Sequence, residues 1–376
     1  MIKISLLTCP DYGNANIAVK EAVNLLGGIA SFVKPGEKIL IKPNLLSAKE
    51  PDKAVTTHPE IVRAAIQLVK KAGATPIVGD SPGGAYKDMD IKKLWEITGM
   101  SVVCEKEGAE LISFEAAGSK EIDINDENIK KVHISNAVLD CDGIINLPKL
   151  KTHSLMTFSA GVKNLYGCIP GLMKVEYHKH ASKNKDFANL LANLYLFFKN
   201  KIRFTLLDAI VAMEGNGPSS GEIRQTDMIT ASADTGMLDA FILDILGGEV
   251  NDSFLLKKLG ITKNSLGKIS TIGNLRSDFK LDNFKFPQTR KLDLVPRPVV
   301  KLLGKFLWIK PKINKEKCVG CMFCAKSCPI HAIEKKEGEK TPQVIDKKCI
   351  SCFCCHEMCT YKAVDFKKSI LAKLFM

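Results

Sequence analysis

No run of about eighteen apolar residues occurs in this 376-residue chain, so no transmembrane helix is expected. No G-x-G-x-x-G follows a strand-like segment, so neither a flavin nor a nicotinamide dinucleotide is indicated. The stretch from Met1 to Pro10 has one lysine and too short an apolar core for a secretory signal, and it reads better as a first strand. A cytoplasmic location is therefore expected. Nucleic-acid recognition motifs are missing too. The 54 Lys+Arg against 41 Asp+Glu, net +13, are scattered rather than clustered. That pattern disfavours nucleic acid and leaves an acidic protein partner, a small anionic ligand or peripheral contact with a membrane surface.

What the chain holds in excess is cysteine, unevenly placed. Cys9, Cys104, Cys141 and Cys168 stand singly, whereas the other nine of the 13 fall between Cys318 and Cys359. Without a secreted context these are not a disulfide framework, and clustered cysteines point to metal. Two segments align without a gap: CVGCMFCAKSCPIHAIE from Cys318 and CISCFCCHEMCTYKAVD from Cys349. Each reads C-x2-C-x2-C-x3-C, a spacing in which three thiolates hold one cuboidal cluster and the fourth serves the other repeat. Cys318, Cys321, Cys324 and Cys359 are thus the expected ligands of one 4Fe-4S cluster, and Cys349, Cys352, Cys355 and Cys328 those of a second. Zinc prefers C-x2-C arms separated by a longer loop. From about Ile313 to Phe366 the chain resembles bacterial two-cluster ferredoxins. It departs from them at Thr360, where the first repeat has Pro329, and at the surplus Cys354, read as a spare buried thiol.

Ahead of this module, short apolar runs alternate with helical patterns, which predicts an α/β fold with a mostly parallel sheet flanked by helices. Strands are expected at Ile2–Leu7, Lys38–Lys42, Thr75–Gly79, Gly143–Leu147, Phe204–Asp208 and Met228–Ala231. Helices are expected over Ile17–Phe32 and from a capping box at Thr57-His58-Pro59-Glu60 to near Gly73. The division reads as an α/β domain over 1–285, a linker over 286–311 and a ferredoxin-like α+β domain over 312–368. Loops after four strands carry Pro43-Asn44, Asp80 to Gly84, Pro148 to His153 and Glu214 to Pro218. In a parallel sheet they converge on one cleft. Lys42, Lys149, Lys151, His153 and Lys163 there suit a phosphate or carboxylate. Asp80, Asp208, Glu214 and Asp239 are acid–base or cation-binding candidates, with a capping role open for Asp239.

These residues carry a family resemblance. Ile41-Lys42-Pro43-Asn44, His58-Pro59-Glu60, Lys149 to His153, Gly161 to Gly167, Asp208-Ala209-Ile210, Glu214 to Pro218 and Asp239-Ala240 resemble the domain of unknown function 362 family, whose members often carry a ferredoxin-like tail. The resemblance implies a fold and no secure activity. Asn44, Asn164 and Asn216, within these motifs, join the candidate binding residues; catalytic residues are unknown, with Lys151, His153 and Lys163 the candidates from the basic cleft beside an electron relay. A remoter likeness to nickel-dependent lactate racemase is an analogy through the Lys and His residues alone.

Other features admit a bland and a sharp reading. His153, His178 and His180 suit either a metal site or a solvated surface, with the surface favoured. Cys168 reads as a core thiol or a cleft neighbour. Val299 to Ile309 is a basic amphipathic segment, expected to dock the tail on the body rather than lie on a membrane. Three functions remain open: a ferredoxin-type electron carrier whose redox partner has an acidic face, an oxidoreductase with its substrate in the cleft, and a cluster or cofactor assembly factor.

Overall fold

In the computed structural model, residues 1–83, 88–279, 281, 283–290 and 306–374 are described. Most of the basic segment at 299–309 therefore lies outside the described residues. A ten-stranded sheet forms the body, with the main strand order Ile269–Gly273, Ile2–Thr8, Glu222–Ser232, Ile202–Glu214, Gly143–Leu147, Lys38–Pro43, Thr75–Asp80 and Glu110–Ser113. The half from Ile202–Glu214 to Glu110–Ser113 along this order is parallel, as predicted. Lys38–Pro43 is buried at five successive positions, as a strand covered on both faces must be. Helices Ala15–Leu25 and Pro59–Lys71 bury apolar residues at helical spacing against one face, and Asn184–Phe198 packs on the other.

Three sequence expectations are corrected. The first helix ends at Leu25, because Gly27 and Gly28 take positive φ and only a short 3-10 turn follows. The helix from Pro59 is capped by His58, whose Nδ1 accepts from Glu60 N at 3.2 Å. The Thr57 hydroxyl is taken by Asn44 N and Leu147 O. Finally, Lys149–His153 is not a loop but a strand, pairing with Ile202–Glu214, which itself runs far past Asp208.

Burial and stacking on Tyr12, at 3.6 Å between ring centres, keep His58 neutral, and burial pushes its pKa down to about 4. Between that value and the unfolded imidazole's ordinary range the unfolded chain binds more protons, so stability falls as pH drops through the window. His58→Asn keeps a capping acceptor without the titration. The variant is expected to lose on the order of 2 kcal/mol less than the parent between pH 7 and pH 4.5. Denaturant midpoints at the two pH values check this, and equal losses would refute it.

The tail is a separate small α+β unit. Ile309–Ile313 pairs with Val364–Lys368, and Ile333–Glu334 with Gln343–Val344. Its two repeats share a backbone: Gly320 and Ser351, Met322 and Phe353, and His331 and Lys362 all have positive φ at matching positions. Matching helices, Phe323–Lys326 and Cys354–Glu357, follow. Among the described residues no helix is long and apolar enough to cross a membrane.

Candidate functional site

The repeated turns gather the cysteines around two cavities. The first, about 340 Å³, is lined by Cys318, Cys321, Cys324 and Cys359 among Ile313, Val319, Pro342 and Val364. The second, about 310 Å³, is lined by Cys328, Cys349, Cys352 and Cys355, with Cys354 beside them. Each therefore draws three thiols from one repeat and the fourth from the other. Ala332 N donates to Cys328 Sγ and Ala363 N to Cys359 Sγ, both at 3.2 Å. Four soft sulfur donors, N–H groups aimed at sulfur and apolar walls fit an iron–sulfur cluster. Among the described residues no three His, Cys, Asp or Glu side chains converge closely enough to hold a single ion.

A third cavity, partly open to solvent, lies where the tail meets the body. The body supplies Asn44, Asp80, Lys151, His153 and Lys163, so loops after the predicted parallel strands do converge. The tail supplies Ser327, Cys354, Glu357 and Met358. Segment 354–362 makes the joint. Glu357 O accepts from Ser219 Oγ at 2.6 Å, and Thr360 O accepts from Lys49 Nζ at 2.9 Å. His356 sets one ring nitrogen 2.7 Å from Val364 O and the other 3.0 Å from Asn216 O. Met358 lies so close to Gly83 that a Cβ there would clash with its sulfur. Cys354 lines both this cavity and the second cysteine cavity, so the two are neighbours.

The lysines divide into two groups. Lys42 is wholly buried and paired with Asp80 at 2.8 Å, and Lys149 with Asp208 at 2.9 Å. Neither lines the cavity. Both are corrected from ligand candidates to buried ion pairs, because each ammonium is already neutralised inside the fold. Gly167 passes over the Lys42–Asp80 pair so closely that any Cβ would strike it. Lys151, Lys163 and Lys174 do face the cavity. Burial pushes Lys151 down to about 7 and Lys174 to about 8. Lys151 donates to Asn44 Oδ1 at 2.5 Å and Val55 O at 2.6 Å, and Lys174 to Ser81 O at 2.9 Å. Lys163 is lowered chiefly by burial, and its ammonium rests over the rings of Tyr166 and Phe187.

Glu357 is the one carboxylate from the tail. Burial pushes it up, but His153 and Lys163 more than offset this and hold it below the usual carboxylate range. His153 and Lys163 are themselves lowered, chiefly by burial.

Among the other candidates, Asn164 lines the cavity and ties Asn146 to the Pro43 strand end. Asn216 does not line it: its carbonyl anchors His356 of the tail. His178 is buried and stacked on Phe187, whereas His180 is exposed, so the paired-histidine surface is corrected. Periodicity hides this, since the helix Met173–His180 turns only one of the two inward. Asp239 caps the turn at Gly161, accepting from Gly161 N at 2.7 Å and Val162 N at 3.0 Å. Glu214 is bonded to Lys285 N rather than facing the cavity. Cys168 is a buried thiol outside the cavity lining, its pKa pushed up to about 12. Lys174, Ser327 and Glu357 escaped the sequence reading; the last two sit inside the cysteine motif, where spacing drew attention only to sulfur.

Comparison with known proteins gives consistent matches. The family described as Domain of unknown function (DUF362) matches residues 39–244, and the 4Fe-4S binding domain matches residues 311–334. A thylakoid-associated protein of Synechocystis sp. is 32% identical over 295 residues, 77% of this chain and 89% of that protein. The lactate racemase apoprotein from Thermoanaerobacterium thermosaccharolyticum superposes with a TM-score of 0.40 at 13% identity, over 64% of this chain and 55% of that one.

Proposed function

This chain belongs to the DUF362 family and is an iron–sulfur protein, and from that premise we propose that it carries two 4Fe-4S clusters for one-electron transfer to or from a ligand held against its α/β body. The carrying observation is the pair of four-cysteine cavities, the second sharing Cys354 with the lining of the cleft. Cys318, Cys321, Cys324 and Cys359 hold one cluster, and Cys328, Cys349, Cys352 and Cys355 the other. When bound, each cluster supplies a reversible one-electron step. The chain's own part is to bond sulfur through Ala332 and Ala363 and to keep water out with apolar walls.

The two cavities differ in surroundings. Val319, Cys321 and Tyr361, on the lining of the first, are exposed. Lys317 stands two residues before Val319, Lys362 follows Tyr361, and Lys340 lies against Gly320. This basic rim suits a redox partner with an acidic face. Lys317→Glu combined with Lys340→Glu is expected to slow reduction by an acidic carrier about tenfold at low salt and to flatten its salt dependence. Stopped-flow reduction at two ionic strengths tests this, and unchanged rates would remove the rim from the account.

The proposed setting is cytoplasmic, with peripheral membrane contact. The +13 net charge and the thylakoid association of the relative support it. A second reading, an oxidoreductase acting on a substrate in the cleft, is favoured by the size and charge of the cavity beside Cys354. A potentiometric titration followed by electron paramagnetic resonance tests the main reading. Uptake of two electrons in one-electron steps is expected, and a chain that cannot be reduced reversibly would overturn it.

A further inference from the structure

The cavity under the docked tail holds three buried polar atoms without a hydrogen-bond partner: His153 Nε2, His178 Nδ1 and Ser327 Oγ. Native interiors satisfy nearly all such groups, because leaving one unpaired costs about 1–3 kcal/mol. Three orphans lining one cavity mark a place that a ligand completes. Lys163 lines the same cavity, its ammonium over the Tyr166 and Phe187 rings and within electrostatic reach of Glu357. Its neighbours Lys42, Lys151 and Lys174 are all bonded within the fold.

The donors define the ligand. His153 Nδ1 accepts from Leu155 N and Met156 N, both at 3.2 Å, so the ring proton of the neutral imidazole sits on Nε2, which is therefore a donor. Glu357 Oε2 lies 3.6 Å from that nitrogen, beyond hydrogen-bond range, so the N–H is still available. Asp80 is committed to Lys42 and to Leu45 N. An ammonium, an imidazole N–H and a serine hydroxyl are all donors, and Glu357, held ionised beside His153 and Lys163, is the only other charged acceptor near them among the described residues, so the ligand has to bring acceptor oxygens of its own. Leu46, Val175 and Met358 give the cavity an apolar side.

We propose that the cavity binds a small organic acid, its carboxylate or phosphate at Lys163 Nζ, His153 Nε2 and Ser327 Oγ and its apolar body against Leu46, Val175 and Met358. The assignment rests on the reading above in one respect: Ser327 and Met358 reach the cavity from a tail folded around its clusters.

Calorimetric titration of the anaerobic full chain with butyrate, butyl phosphate and inorganic phosphate tests it. One molecule of butyrate or butyl phosphate is expected to bind per chain, at least about tenfold tighter than inorganic phosphate, and the tighter of the two identifies the head group. Lys163→Met is expected to weaken that binding more than about tenfold, and Ser327→Ala about fivefold. Ser327→Ala removes only an unpaired oxygen, so the unliganded variant is expected to be as stable as the parent. Absence of one-to-one binding, affinities unchanged in both variants, or inorganic phosphate binding as tightly as butyl phosphate would overturn the proposal. Iron is counted in the same samples. Full iron without binding sinks this inference alone, whereas an iron-free chain sinks the reading on which it rests.

Discussion

Cys321→Ala combined with Cys359→Ala is expected to leave about four irons per chain, whereas Cys321→Ala combined with Cys328→Ala leaves almost none. The two variants remove the same number of thiols from the same module, and only the partition of cysteines between the cavities separates them. Cys321 and Cys359 line one cavity, so their joint loss empties that cavity and spares the other. Cys328 lines the other cavity with Cys349, Cys352 and Cys355, so pairing its loss with that of Cys321 damages both. Ligation within each repeat would give the reverse pattern, because Cys321 and Cys328 would then share a cluster. Iron and acid-labile sulfide on anaerobic samples decide between them. The second variant is also expected to lose the organic-acid site, since Ser327 precedes Cys328 directly and Met358 sits between Cys355 and Cys359.

Lys149→Met is expected to cost the body about 3–5 kcal/mol, the largest single stability loss outside the tail. Both partners of the Lys149–Asp208 pair are fully buried. Asp208 also accepts from Tyr12 Oη at 3.0 Å and from His58 N at 2.9 Å, so it joins the first loop, the start of the Pro59 helix and the long central strand. Removing the ammonium leaves that carboxylate charged in a dry interior with only neutral donors. Replacing Asp208 by Asn in the same chain is expected to recover part of the loss, since the uncompensated charge goes with it. Denaturant midpoints measured on iron-loaded protein test the pair. A loss below about 1 kcal/mol for Lys149→Met would show that the interior there is wet.

The parts of this architecture legible in sequence were those fixed by local rules. Strand runs such as Lys38–Pro43 and Gly143–Leu147 are built around Ile39-Leu40-Ile41 and Ile144-Ile145, and the two cysteine repeats align without a gap. The convergence of segments near Asn44, Asp80 and Pro218 follows from parallel pairing of the strands before them. Partnership was not legible. Lys42, Lys149, Lys151 and Lys163 look alike as letters, yet two are locked in buried pairs, one donates to neutral oxygens and one rests over aromatic rings. Which of them is locked depends on Asp80 and Asp208 arriving from distant strands. Nor could spacing show that Glu357, flanked by cysteines, faces His153 some two hundred positions earlier. That contact belongs to the docking of two units, a long-range event that leaves no periodic trace.

Native mass spectrometry of the anaerobically purified full chain tests the central claim most directly. The account predicts an intact mass equal to the chain plus two 4Fe-4S clusters. A mass equal to the chain plus one cluster, or to the chain plus zinc ions, would contradict it.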